Sequence, residues 1–128
     1  MEAVWIEERE TLVLHDHLLA LHGGAPGLRD EGLLKSALAR PRQLYAYGTA
    51  PGIIDMAAAY TAGILQNHPF IDGNKRTGFV IGILFLELNG YSFFASEEDT
   101  ARAVLALAGG AFKAADYVQF LRENSKSK

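Results

Sequence analysis

Apolar residues recur three and four positions apart through most of the chain, the period of a helix with one buried face. Between Glu8 and His22 the residues Leu12, His15, Leu18, Leu19 and His22 keep that spacing, and Gly23 with Gly24 supplies a stop. A first helix is predicted there. GGAPGLRD then reads as a structured turn whose Asp30 caps a short helix carrying Leu33, Leu34, Ala37 and Leu38. Arg40 and Pro41 are expected to end it, because proline has no amide hydrogen for the next helical bond. A loop with Tyr45, Tyr47, Gly48 and Pro51 leads to an alanine-rich third helix from Ile53 to Asn67.

HPFIDGNK breaks the period. Pro69 pushes its predecessor away from helical angles, and Gly73 admits angles that a side chain resists. The next helix, from about Asn74 to Asn89, carries Phe79, Ile83, Leu84 and Leu88, while Val80, Ile81, Phe85 and Leu86 make it apolar nearly all round. That marks it as the central core helix, with Gly90 placed to cap its end. YSFFA reads as one short extended piece. Ser96, bonded reciprocally with Asp99, is expected to cap a fifth helix from about Glu97 to Ala108. After GGAFKAAD a last helix buries Val118, Phe120 and Leu121 and exposes Gln119, Arg122 and Glu123, and the polar ENSKSK tail is expected to fray. With no internal repeat or linker, residues 1–128 read as one all-α domain, a compact single-domain bundle of about six helices around one apolar helix.

Composition supports that reading and removes several functions. Apolar residues make up 49% of the 128 and charged residues 21%, the balance of an ordinary globule large enough for an unstapled core. The absence of cysteine excludes disulfides, thiolate nucleophiles and sulfur-held metals. Twelve basic residues against fifteen acidic ones give a net charge of −3, and no basic run interleaves with aromatics. Direct nucleic-acid binding is therefore not expected. MEAVWIEERE is acidic and lacks the pattern of a secretion signal, while the longest apolar stretch, GFVIGILFLELNG, is too short for a bilayer and is broken by Glu87. A cytoplasmic location without a membrane partner is the expectation.

Candidate chemistry concentrates in residues 68–78, HPFIDGNKRTG, which hold an imidazole, a carboxylate, an amide and two cations about two glycines. If His68 ends one helix and Asn74 begins the next, His68 lies near the free amides of a helix start, where phosphate oxygens bind. Lys75 and Arg76 add positive charge at a helix end that disfavours it, a conflict that a bound anion resolves. His68 can accept a proton near neutral pH, and Asp72 suits a magnesium ion that bridges two phosphates. Arg76 offers a forked contact to phosphate and Lys75 a flexible one. Asn74 can orient phosphate or metal-bound water, and Gly73 allows close approach. Thr77 and Gly78 are read as helix packing, and Pro69 and Phe70 as the anchor of the loop. Ordinary structural roles compete for each of these: a carbonyl-bonded helix-end histidine for His68, a cap for Asp72 or Asn74, solvated charge for Lys75 and Arg76.

Other candidates are weaker. GxxxxGK with Ser or Thr, GxGxxG and HExxH are all absent. His15 and Asp16, with His17 and His22, hint at a metal-dependent phosphohydrolase, but His15 and His22 lie seven apart on one helix and fit a core boundary better. Arg29 and Asp30 are expected to staple the glycine turn. Tyr45 and Tyr47 either line a partner groove or pack beneath their loop.

At HPFIDGNKRTG the chain resembles the Fic/Doc superfamily, and more closely its branch of death-on-curing toxins from toxin–antitoxin pairs. HGG, PGLRDEGLLKSAL and LFLELNG are also similar to that branch, so the resemblance covers most of the chain. The wider family carries HPFx[DE]GNGRxxR and transfers AMP from ATP to a protein hydroxyl. Here Lys75 replaces the second glycine of GNG, and Phe79 stands where the second arginine would be. Lys75 and Arg76 instead match the ANKR-like motif of the toxins, whereas Gly73 and Gly78 replace alanines and Pro69 is more Fic-like. The toxin resemblance implies a protein kinase that phosphorylates a threonine of the translation factor EF-Tu with ATP and Mg2+. It would make His68 the base, Asp72 the magnesium ligand, and Gly73, Asn74, Lys75 and Arg76 the nucleotide-binding residues. It also implies a Phd-like antitoxin; separately, the chain has no [ST]xxxE[GN] segment for restraint in cis. AMP transfer and an inactive antitoxin-binding module are the alternatives.

Overall fold

Two central helices approach each other so closely that at one glycine a larger side chain would run into the facing backbone. They are the third and fourth of six: α1 (Glu8–His22), α2 (Glu31–Tyr47), α3 (Ile53–Asn67), α4 (Asn74–Leu88), α5 (Glu97–Gly109) and α6 (Ala114–Glu123). The computed structural model describes residues 3–48 and 51–128. A Cβ at Gly82 would lie 2.9 Å from the Ala57 carbonyl oxygen, and one at Gly78 would lie 2.7 Å from Leu65 Cδ1. Thr61 Oγ1 uses the proximity to donate to the Gly78 carbonyl at 2.8 Å. Around this contact Tyr60, Ile64, Ile81, Phe85 and Leu86 are buried together with Leu34 of α2 and Tyr117 and Leu121 of α6. Gly78 therefore serves packing as expected, and the six-helix, all-α expectation holds.

Helix starts are built by short-range capping. Asp30 Oδ1 accepts from the Leu33 amide at 2.9 Å. Glu10, Asp55 and Asp116, each third in its helix, accept from the amide of the residue before α1, α3 and α6. Ser96 Oγ accepts from the Asp99 amide at 3.1 Å, but the Asp99 carboxylate pairs with Arg102 at 2.9 Å in place of the expected reciprocal bond.

Four other expectations need correction. α2 does not stop at Pro41 but continues to Tyr47. The bond that proline cannot make would have gone to the Ala37 carbonyl, which faces Gly63 of α3, and packing there holds the helix across the gap. Beyond Pro41, Arg42 pairs with Glu7 and lies over the Trp5 ring, and Tyr45 meets Trp5 edge-on at 5.7 Å. Tyr47 is 88% exposed. Positions 49–50 of the expected loop lie outside the described residues.

On α4, Phe79, Ile83 and Leu84 are only half-buried and Leu88 is 49% exposed, because Gly78 and Gly82 turn the Ile81–Phe85 face to the core. On α6, Tyr117 and Leu121 are buried, and Val118 and Phe120 are half-buried. The tail does not fray. Strand β2 (Ser125–Ser127) pairs antiparallel with β1 (Tyr91–Phe93), satisfying an edge that would otherwise stay unpaired. No helix among the described residues is long and apolar enough to cross a membrane.

Candidate active site at the α3–α4 junction

His68 follows α3 in the left-handed region, φ 52° and ψ 54°. For a residue with a side chain that conformation costs about 1–2 kcal/mol, so neighbours must enforce it. Arg29 does so: Nε donates to the His68 carbonyl at 2.8 Å and Nη2 to the Asn67 carbonyl at 2.9 Å. The amides of Arg29 and Asp30 both donate to the Pro69 carbonyl, at 2.7 and 3.0 Å. Leu28 bridges Phe70, and the Ile71 amide donates to the Gly27 carbonyl at 3.1 Å. Loop 23–30 is thus zipped along loop 68–73.

Asn74 closes the second loop from within. It is 3% exposed. Its Oδ1 accepts from the Phe70 amide at 2.9 Å, and its Nδ2 donates to the Phe70 carbonyl at 2.9 Å and to His68 Nδ1 at 3.2 Å. The two Phe70 bonds decide which end of the amide is oxygen. His68 Nδ1 is consequently an acceptor, and the neutral ring carries its proton on Nε2.

The Asp72 carboxylate is exposed yet fixed. Its Oδ2 accepts from the Ala25 amide at 3.1 Å and its Oδ1 from the Gly73 amide at 2.8 Å. The Ala25 bond first, then the Gly73 bond, hold its pKa below the ordinary carboxylate value, with smaller help from the charges of Arg76 and His15. Lys75 and Arg76 stand exposed in the first turn of α4, which has no acidic residue and no side-chain cap. All of these border a cleft of about 250 Å³ lined by His68, Ile71, Asp72, Gly73, Asn74, Lys75 and Arg76.

The donor set fits magnesium. No three His, Cys, Asp or Glu side chains converge among the described residues, so a cation here would take Asp72 plus waters and ligand oxygens. Magnesium is commonly held by one or two carboxylates together with phosphate oxygens. An ionised, pre-oriented carboxylate beside two cations matches that pattern.

The structure therefore gathers His68, Asp72, Gly73, Lys75 and Arg76 about one cleft, with Asn74 as its floor and its amide turned towards the loop. Phe70 anchors the loop, fully buried. A family model described as the Fic/DOC family matches residues 5–86. The chain belongs to the Fic/DOC family. It is 33% identical over 104 residues to Protein kinase doc of Escherichia phage P1, covering 81% of this chain and 82% of that protein. It is 40% identical over 82 residues to Toxin Doc of Mycolicibacterium smegmatis (strain ATCC 700084 / mc(2)155), covering 63% of this chain and 62% of that protein. The family match runs from the segment before α1 through most of α4, and so takes in both zipped loops.

Three contributors within that Fic/DOC region escape sequence reading. Arg29 staples the α3 end and not its own glycine turn. Ala25 acts through its amide, which no side-chain pattern announces. His15 is buried as expected for a core boundary, but it reaches the motif loop, with Nε2 2.8 Å from the Asp72 carbonyl oxygen. His22 is exposed. The usable signal was the glycine-rich turn itself, whose composition exceeds what ending a helix requires.

Proposed function

We propose that this Fic/DOC-family protein is a toxin-like protein kinase that uses ATP and Mg2+ to phosphorylate a hydroxyl of a translation protein in the cytoplasm, with a threonine of EF-Tu as the favoured target. One observation carries the reading: an uncapped, cationic helix start shares a cleft with an ionised, fixed carboxylate and an exposed imidazole. The cleft is smaller than the roughly 300–1,000 Å³ of sites that enclose a whole ligand, so it suits the phosphate end of a nucleotide. Lys75, Arg76 and the first amides of α4 bind the phosphates. Asp72 holds magnesium, which when bound supplies charge neutralisation across phosphate oxygens.

In the transfer, the target oxygen forms a bond to the terminal phosphorus as the bond from that phosphorus to the bridging oxygen breaks. ADP leaves, and His68 Nε2 takes the hydroxyl proton. Because the Asn74 contact places a proton on Nε2 at rest, accepting there requires the exposed ring to turn off Asn74 into its other tautomer. Lys75 in the motif favours phosphate transfer. The HPFIDGN run is shared with AMP-transferring relatives and favours adenylyl transfer as the second reading. Restraint is supplied in trans by a Phd-like antitoxin.

The test is incubation with Mg·ATP and EF-Tu followed by intact-mass measurement. An added phosphate is the expected product, an added adenylyl group selects the second reading, and an unmodified target at full incubation rejects transfer to EF-Tu. His68→Ala should lower product formation by about 10²–10⁴-fold, the usual loss of a proton-transfer group, while the protein stays folded.

A further inference from the structure

A buried histidine on α1 makes its hydrogen bond to the main chain of the motif loop. His15 is 2% exposed. Its ring stacks on Phe70 with centroids 3.8 Å apart and planes at 9°, and its Nε2 lies 2.8 Å from the Asp72 carbonyl oxygen. A carbonyl only accepts, so Nε2 carries the proton. Nδ1 is 4.0 Å from Asp16 Oδ1, beyond hydrogen-bond range, so the ring's polar contact is with Asp72. A Cβ at Gly73 would sit 3.6 Å from the same Nε2.

The turn that follows α1 also reaches Asp72. Gly24 has φ +127°, and a Cβ there would lie 2.9 Å from Asp72 Oδ2, so glycine is what lets the chain pass close enough for the Ala25 amide to bind that oxygen. One helix thus grips one residue twice, through the peptide by His15 and through the carboxylate by the turn that follows. We infer that His15 is a positioning residue for Asp72, setting the main chain of the metal-binding carboxylate from the adjacent helix.

This rests on the reading of Asp72 as the magnesium ligand. Partners that orient a ligand from behind typically change metal affinity by about 10–100-fold when removed. His15→Phe keeps a ring on Phe70 and deletes the donor, whereas His15→Gln deletes the ring and restores a donor near the Nε2 position. ADP binding is measured by calorimetry with and without Mg2+ for wild type and both variants. In wild type Mg2+ should tighten ADP binding. His15→Phe should reduce that tightening by about tenfold or more while metal-free ADP affinity stays unchanged, and His15→Gln should recover most of it.

In free protein, 15N spectra should show His15 as the Nε2–H tautomer. No tightening by Mg2+ in wild type would reject the metal role of Asp72 and this inference with it. Tightening that survives in His15→Phe, or an equal loss with and without metal, or no recovery in a folded His15→Gln, would overturn the inference alone.

Discussion

His68 and Asp72 are held by hydrogen bonds from Asn74, Arg29 and the Ala25 and Gly73 amides, so the sharpest tests lie in those partners. Asn74 spends both amide hydrogens and an oxygen lone pair on loop 68–73. Asn74→Ala should therefore destabilise the fold by about 2 kcal/mol, the scale of buried groups left unpaired, seen as a lower urea midpoint with an unchanged slope. Arg29 is exposed, so Arg29→Ala should fold; it leaves the left-handed His68 held with fewer bonds and should lower the transfer rate more than nucleotide affinity. Asp72 gives a pH test. Its native pKa lies below the ordinary 3.8, so its contribution to stability is complete above that value and is lost as pH falls through the lowered one. A 13C titration of the Asp72 carboxyl should show a midpoint below 3.8, and a midpoint at or above it would contradict the two amide bonds.

Between elements, what decides stability is how close two backbones come, and paired glycine substitutions separate that from helix propensity. Gly82→Ala would place a methyl 2.9 Å from the Ala57 carbonyl and against the Thr61 hydroxyl, whereas a methyl at Gly109 meets nothing within 4 Å. Overpacking of this kind costs about 1–3 kcal/mol, so Gly82→Ala should lower the thermal midpoint. Gly109→Ala should raise it, because a methyl at this compatible position restricts the unfolded chain and stabilises the fold by about 0.4–1 kcal/mol. The same contrast explains what the sequence could reveal. The spans of α1, α3 and α4 were legible because apolar spacing, alanine content and the breaks at Gly23–Gly24 and HPFIDG are all local. The course of α2 past Pro41 was not, because the contacts that retain it come from Gly63, Glu7 and Trp5 in other elements. The pairing of Ser125–Ser127 with Tyr91–Phe93 depends on a partner strand more than thirty residues away, and a polar tail carries no sign of it. At the site, motif residues were legible by type and spacing, whereas Ala25 and Arg29 act from a separate loop whose zipping onto loop 68–73 is visible only in three dimensions.

Across the molecule the candidate site closes a ring: α1 leads into loop 23–30, that loop bonds to loop 68–73, and the latter leads into α4, which packs back on α1. Ligand in the cleft should therefore be felt by amides that never touch it. Ligand at 100 times its dissociation constant stabilises the native state by about 2.7 kcal/mol, so amides that exchange only on global unfolding, those of the α3–α4 centre, should slow by about 100-fold. Loop amides exchange by smaller openings, and they slow by the same factor only if their opening destroys the site. The Ala25 amide is bonded to Asp72, and those of Arg29 and Asp30 to the Pro69 carbonyl, so their opening releases the carboxylate and the His68 turn. They should slow with Mg·ATP nearly as much as the core. The Phe94 and Lys128 amides bond to Asn124 and Gly90 at the two-stranded ribbon, remote from the cleft, and should keep their rates if they open locally. Hydrogen exchange of wild type with and without Mg·ATP measures all of these together, and slowing of the core with unchanged Ala25, Arg29 and Asp30 would show that the loop contributes nothing to the bound state.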